Sequence, residues 1–230
     1  MPDATEIDVL SGGAMRRFLA EAVPLFEQAS GCRVAVRFAL TRVLKQEIED
    51  GAVFDLALMP RPELDQLAAM GRIAAGSQAD IVRSLVGFIV RTGAPAPDIG
   101  TVDAFKTALR RATSISYSKG PSGLYVADLL ERLGLAAAMK DKTVFAVGRP
   151  VGEVVASGEA EIGMQQIIEN QPVKGAHLVG PLPSELRNYV LYAAGRAAAV
   201  ADRPDLRAFV AFLGSAEAVR IIRDKGMAPA

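Results

Sequence analysis

The chain has 230 residues, with 26 Lys+Arg against 26 Asp+Glu, one His and one Cys. That inventory cannot supply the Cys and His ligands of a zinc site or an internal disulfide, and it confines Ser-His-Asp or Cys-His catalysis to His177. Zero net charge gives no global pull on nucleic acid or an anionic membrane, and 6% aromatics with no Trp argue against sugar-stacking or single-strand platforms.

Half the residues are apolar, enough for a sizeable core in one large or two small domains. The apolar run inside Leu85–Val90 is far too short to cross a bilayer, so no membrane insertion is expected. The opening Met1-Pro2-Asp3-Ala4-Thr5-Glu6 lacks the basic region and apolar stretch of a secretory leader. The expected location is therefore cytoplasmic as written, or periplasmic if a leader has been removed.

In chain order, Ile7–Leu10 alternates apolar and acidic residues and predicts a short strand. It runs into Ser11-Gly12-Gly13-Ala14, after which Met15, Phe18, Leu19, Ala22 and Phe26 recur at helical spacing. Pro24 is expected to kink or divide that helix, and Gly31 to end it. Arg33–Phe38 alternates like a half-wet strand, and Thr41 is placed as the N-cap of a helix through Ile48. Phe54–Met59 reads as a buried strand and Pro62–Met70 as a helix stopped by Gly71.

The second stretch repeats the pattern. Ser84–Val90 is apolar, Gly93–Pro97 is a stiff loop, and Thr101 caps a helix on which Phe105 and Leu109 share a face. Thr113–Tyr117 predicts a strand, and Ser118–Gly123 leads into a helix carrying Tyr125, Leu129, Leu130 and Leu133. Thr143–Val147 is a strand, and Gly148-Arg149-Pro150 opens a short helix. Ile162–Ile168 and Ala176–Val179 read as extended, and Asn188–Ala194 as a last strand before helices at Pro204–Leu213 and Ala216–Lys225.

Strands alternating with helices predict an α/β fold with mainly parallel sheet. Four strand-to-helix turns are rich in Gly, Ser, Thr or basic residues: Ser11–Ala14, Ala39–Arg42, Ser118–Gly123 and Gly148–Pro150. Ligands of open α/β sheets bind beyond the carboxyl ends of strands, where helix N-termini direct free N–H groups. Together the turns predict an anion site, with Arg42, Lys119 and Arg149 as its local cations. His177 and Cys32 sit outside them and read as a solvated loop residue and a small packing residue.

The order of these pieces resembles the type II periplasmic solute-binding proteins, in particular their molybdate-binding branch. The resemblance is carried by Ser11-Gly12-Gly13-Ala14-Met15, by Phe38-Ala39-Leu40-Thr41 ahead of Leu44–Gly51, and by Phe54-Asp55-Leu56-Ala57-Leu58. Ser84–Val90, Pro121-Ser122-Gly123-Leu124-Tyr125 and Gly158-Glu159-Ala160-Glu161-Ile162-Gly163 complete it. It implies a two-lobed α/β clamp, each lobe a mainly parallel sheet flanked by helices. Lobe I would hold residues 1–83 plus 192–230 and lobe II residues 84–191, with a small anion between them and no cofactor or metal.

The resemblance implies a binding set of Ser11, Gly12, Gly13, Ala14, Thr41, Arg42, Lys119, Ser122, Gly123, Val151, Gln165 and Gln166. The chain departs from the molybdate pattern at several of these. Ala14 stands where that branch has a ligand hydroxyl, whereas Thr41 keeps the second one. Ser122 and Val151 fall where it uses backbone N–H groups, and Gln165-Gln166 where it offers a Tyr hydroxyl. Arg42 and Lys119 add charged donors, which suit carboxylates, so a molybdate- or tungstate-type oxyanion and a di- or tricarboxylate are both expected ligands. The implied role is the substrate-binding component of an ABC transporter, with a permease as partner if the chain is exported. The alternative is a cytoplasmic carboxylate isomerase: Gln165–Glu169 and Gly180–Leu186 look similar to the aconitate isomerases of this branch. For that chemistry Arg42 would hold enolate charge, and Lys119, Tyr117 or Glu153 would be the base.

Overall fold

The computed structural model describes residues 6–170 and 173–230. The chain divides into two compact units, Met1–Arg83 with Val190–Ala230, and Ser84–Tyr189. It passes from one to the other within two strands, at residues 83–84 and 189–190.

The first unit begins with β1 (Glu6–Gly12), α1 (Arg16–Ser30), β2 (Arg33–Ala39), α2 (Thr41–Glu49), β3 (Leu56–Pro60) and α3 (Arg61–Ala69), and enters β4 (Ala79–Arg91). β1 pairs in parallel with β2 and with β3, in a register that sets Ser11 opposite both Phe38 and Leu58. The three strands therefore finish together, and each is followed at once by a helical turn. One side of the sheet buries Leu10, Leu44, Ile48, Phe54, Met59, Leu64 and Leu67 in a single cluster.

Helix α1 is continuous through Pro24, with Gly31 in the left-handed conformation (φ 73°) as its C-cap. The expected break does not occur. Phe18, Leu19, Ala22, Val23 and Phe26 all lie on its buried face, and each of the four larger side chains contributes about 1.5–3 kcal/mol by burial, enough to tolerate the lost Pro24 N–H bond. Thr41 is the first residue of α2 rather than its N-cap, which is Leu40 without a side-chain bond.

The second unit takes the rest of β4 and continues through α4 (Val102–Arg111), β5 (Ile115–Ser118), α5 (Pro121–Arg132), α6 (Ala136–Lys140) and β6 (Thr143–Ala146). α7 (Val151–Ala156), β7 (Ile162–Gln166), α8 (Ile167–Asn170) and β8 (Ala176–Pro181) complete it. β5 pairs in parallel with β6 and β7, whereas β4 pairs antiparallel with β7 and β8. Its core joins Phe88 edge-on to Phe105 (ring centroids 6.0 Å apart) with Leu109, Ile115, Leu129, Leu130 and Met164. Thr101 caps α4 by accepting a hydrogen bond from Ala104 N at 3.1 Å.

The chain then returns to the first unit through β9 (Tyr189–Arg196), antiparallel to β3, followed by α9 (Pro204–Leu213), α10 (Ala216–Asp224) and β10 (Ala228–Pro229), antiparallel to the first part of β4. Each unit is thus parallel in its strand–helix–strand portion and antiparallel where the crossover strands join. One further expectation is corrected: Ile167-Ile168 is helical. Both side chains are buried, and an apolar run this short cannot distinguish a strand from a buried helical turn.

Candidate functional site

In the first unit, β1 leads into a 3-10 turn at Gly13–Met15 and then α1. Ser11 is fully buried, and its hydroxyl donates to Gly12 O at 3.3 Å. Gly12 abuts the start of α2 so closely that a Cβ there would lie 3.2 Å from Thr41 Oγ1. The first two predicted turns therefore form one polar edge. Ala14 is half-buried, Gly13 is exposed, and Arg42 is exposed without an ion pair among the described residues. Arg16 was missed in the sequence: its guanidinium lies 4.2 Å from the centre of the Phe38 ring at this edge. Its signal was its position, immediately after the Gly12–Met15 turn.

The second unit gathers a larger set. Ser118↔Ala146 is the last pair of the β5–β6 register, and the turns that follow face one cavity of about 380 Å³. Its walls are Ser118, Lys119, Gly120 and Ser122 from one turn, Ala146–Arg149 from the other, and Glu169 from α8. Lys119 Nζ lies 5.0 Å from the Phe145 ring, and Arg149 Nη2 donates to Glu159 Oε2 at 2.5 Å. That bond and one from Ser157 hold the Glu159 carboxyl below its ordinary range. Gly123 is buried, and a Cβ there would fall 1.6 Å from Ser118 O. The first turn of α5 can therefore close over the β5 end only with glycine at this position.

A bond network adjoins this cavity. Gln165 (7% exposed) accepts the Val151 N–H through Oε1 at 2.7 Å and donates through Nε2 to Glu169 Oε2. The Val151 amide, which the resemblance places among the ligand's backbone donors, is engaged by Gln165 in this structure. The cause is the reach of the Gln165 side chain from the end of β7 to the start of α7. Gln166 is also buried. Burial pushes the Glu169 carboxyl above its ordinary value of 4.5, with the Gln165 bond acting in the opposite sense. The sequence marked Glu169 only as the end of the Gln165–Glu169 segment that looks similar to the aconitate isomerases, without assigning it a role.

The other two proposed bases lie elsewhere. Tyr117 lines a different cavity, of about 440 Å³, with Leu130, Met139 and Phe145, and Glu153 is exposed on α7. His177 is exposed on β8 opposite Val90. A roomier cavity of about 550 Å³ beside α4 presents Asp98, Asp103 and Glu161 against one cation, Arg111, the wrong balance for an anion. Among the described residues no cluster of His, Cys, Asp and Glu could hold a metal ion, and no helix is long and apolar enough to cross a membrane.

An aconitate isomerase from Pseudomonas is 34% identical over 98% of this chain and 88% of its own. The molybdate-binding protein ModA of Azotobacter vinelandii is 26% identical over 97% of this chain and 90% of its own. A substrate-binding domain from Clostridium difficile superimposes with a TM-score of 0.85 over 99% of this chain and all of its own, at 19% identity. The fold is that of the type II periplasmic binding proteins. Residues 7–228 match the family model described as bacterial extracellular solute-binding protein, and the chain belongs to that family.

Proposed function

We propose that the chain binds a small organic anion with two or three carboxylates in the cavity at the ends of β5 and β6, and isomerises it by moving a proton. The observation that carries this reading is the convergence of Lys119, Arg149 and Glu169 on one cavity with the hydroxyl-bearing Ser118 and Ser122. Two cations suit a polycarboxylate, because charge-assisted hydrogen bonds are about twice as strong as neutral ones. A half-buried carboxyl lining the same cavity adds a group able to exchange a proton. The relationship to an aconitate isomerase at 34% identity supports the same substrate class.

A second reading is capture of a molybdate- or tungstate-type oxyanion in the periplasm for an ABC permease. The family and the ModA relationship favour it, as do the neutral donors Ser118 and Ser122 of the same cavity.

The readings separate in two assays on the purified chain. Absorbance follows interconversion of cis- and trans-aconitate, and thermal shift compares both aconitates and citrate with molybdate, tungstate and sulfate. Ligand at 100 times its Kd adds about 2.7 kcal/mol. Turnover with carboxylate-only stabilisation is expected. Stabilisation by oxyanions alone, without turnover, transfers the assignment to transport.

A further inference from the structure

We infer that Glu169 is the catalytic residue that carries the proton in the isomerisation proposed above, an inference that rests on that reading. Four observations converge on it. Glu169 is the one carboxylate among the residues lining the cavity that holds Lys119 and Arg149. Gln165 engages its Oε2 and is itself fixed by Val151 N–H, so the carboxyl is oriented from outside the ligand space. Oε1 has no hydrogen bond among the described residues, and Glu169 forms no ion pair there. Its burial favours the proton-carrying form, whereas nearby Glu159 is bound to Arg149 and kept ionised.

The step balances without a co-reactant. The Glu169 carboxylate takes a proton from the methylene carbon of an unsaturated tricarboxylate. The released C–H electron pair becomes a new C=C bond as the old one shifts, and its charge spreads onto the adjoining carboxylate. That charge builds up next to Lys119 and Arg149, where fixed cations stabilise it most. The shifted pair then takes the same proton back at the far end of the three-carbon unit, and Glu169 is again a carboxylate. Gln165 is a positioning residue in this scheme, acting only through Glu169.

The test compares wild type, Glu169→Gln and Glu169→Asp of the full chain with cis- and trans-aconitate. Turnover is read by absorbance, binding by calorimetry and folding by thermal melting. General acid–base groups contribute about 100- to 10,000-fold, so Glu169→Gln is expected to lose at least ~100-fold in kcat while binding within ~5-fold of wild type. Turnover in Glu169→Gln within ~3-fold of wild type overturns the role of Glu169 and leaves the isomerase reading intact. Wild type that binds aconitate without turning it over overturns both. If Glu169→Gln does not melt cooperatively, Glu169→Asp decides. Its carboxylate is withdrawn by one methylene, so a folded variant at least ~10-fold slower supports the role, as misplacement by about 1 Å costs up to ~100-fold, and an unchanged rate overturns it.

Discussion

Gln165 Oε1 accepts the Val151 amide hydrogen at 2.7 Å while the Gln165 amide nitrogen donates to Glu169. One buried side chain therefore ties the start of α7 to the cavity carboxyl. Gln165→Ala strands the buried Val151 N–H and releases Glu169. Leaving a buried donor unpaired costs about 1–3 kcal/mol, and a loss of that size is expected in urea unfolding. Gln165→Glu keeps an acceptor for Val151 but sets a second carboxylate against Glu169. It is expected to recover stability below about pH 5, where carboxyl groups take up protons, and not at pH 8.

Glu169 and Glu161 predict opposite pH dependences of stability. Burial raises the Glu169 pKa in the folded state, so the folded protein binds the proton more tightly than the unfolded chain does. That stabilisation is complete below the ordinary value of 4.5 and is lost as pH rises through the raised value. Lys119 and Arg149 are the other charged groups lining the cavity. Wild type is therefore expected to lose stability relative to Glu169→Gln as pH increases from 4.5 upward. Glu161 instead accepts from Thr113 N and Oγ1 at 2.7 and 2.6 Å, which lowers its pKa. Its contribution is present above its unfolded value and lost as pH falls through the depressed one. Glu161→Gln should accordingly differ most from wild type above pH 5. Denaturant melts of both variants across pH 3–9 check the two signs.

Two glycines in corresponding turns are expected to respond differently to alanine. A Cβ on Gly123 meets the Ser118 carbonyl at 1.6 Å, whereas one on Gly13 meets nothing within 4 Å. Overpacking typically costs about 1–3 kcal/mol, and Gly123→Ala falls at the upper end because the obstacle is backbone. Gly13→Ala is expected to stay within about 0.5 kcal/mol of wild type, as unconstrained surface changes do. Chemical denaturation measures both.

Arg149→Ala separates ligand binding from stability. The exposed Arg149–Glu159 pair contributes little to folding, since such pairs are worth about 0–1 kcal/mol. The melting temperature is expected to change by no more than about 2 °C, while affinity for a tricarboxylate falls ~10-fold or more, as loss of a hydrogen bond from a charged donor implies. A parallel thermal melt and calorimetric titration read the two effects.

The strand-to-helix turns were legible because Gly, Ser and Thr follow apolar runs in a pattern set by local chemistry. Ser118, Lys119, Ser122 and Arg149 could thus be singled out before their common cavity was visible. Four features were not legible. The continuity of α1 through Pro24 depends on burial of Phe18, Val23 and Phe26 by the rest of the unit, which overrides a local rule. The helical state of Ile167-Ile168 is hidden because a short apolar run suits either structure. The engagement of Val151 by Gln165 joins residues 14 apart in sequence, and no spacing rule encodes a bond made by a side chain crossing from a strand to a neighbouring helix. Glu169 was obscured in the same way, since its significance comes from the burial and the cations that the fold assembles around it.

The most direct test of the account is calorimetric titration of trans-aconitate and of molybdate into wild type and Lys119→Ala. Wild type is expected to bind the carboxylate, and Lys119→Ala to bind it ~10- to 100-fold more weakly with an unchanged melt, the range set by one charged hydrogen bond of about 1.5–3 kcal/mol. Binding of molybdate with no binding of trans-aconitate, or equal carboxylate affinity in both proteins, would contradict a carboxylate site at the ends of β5 and β6.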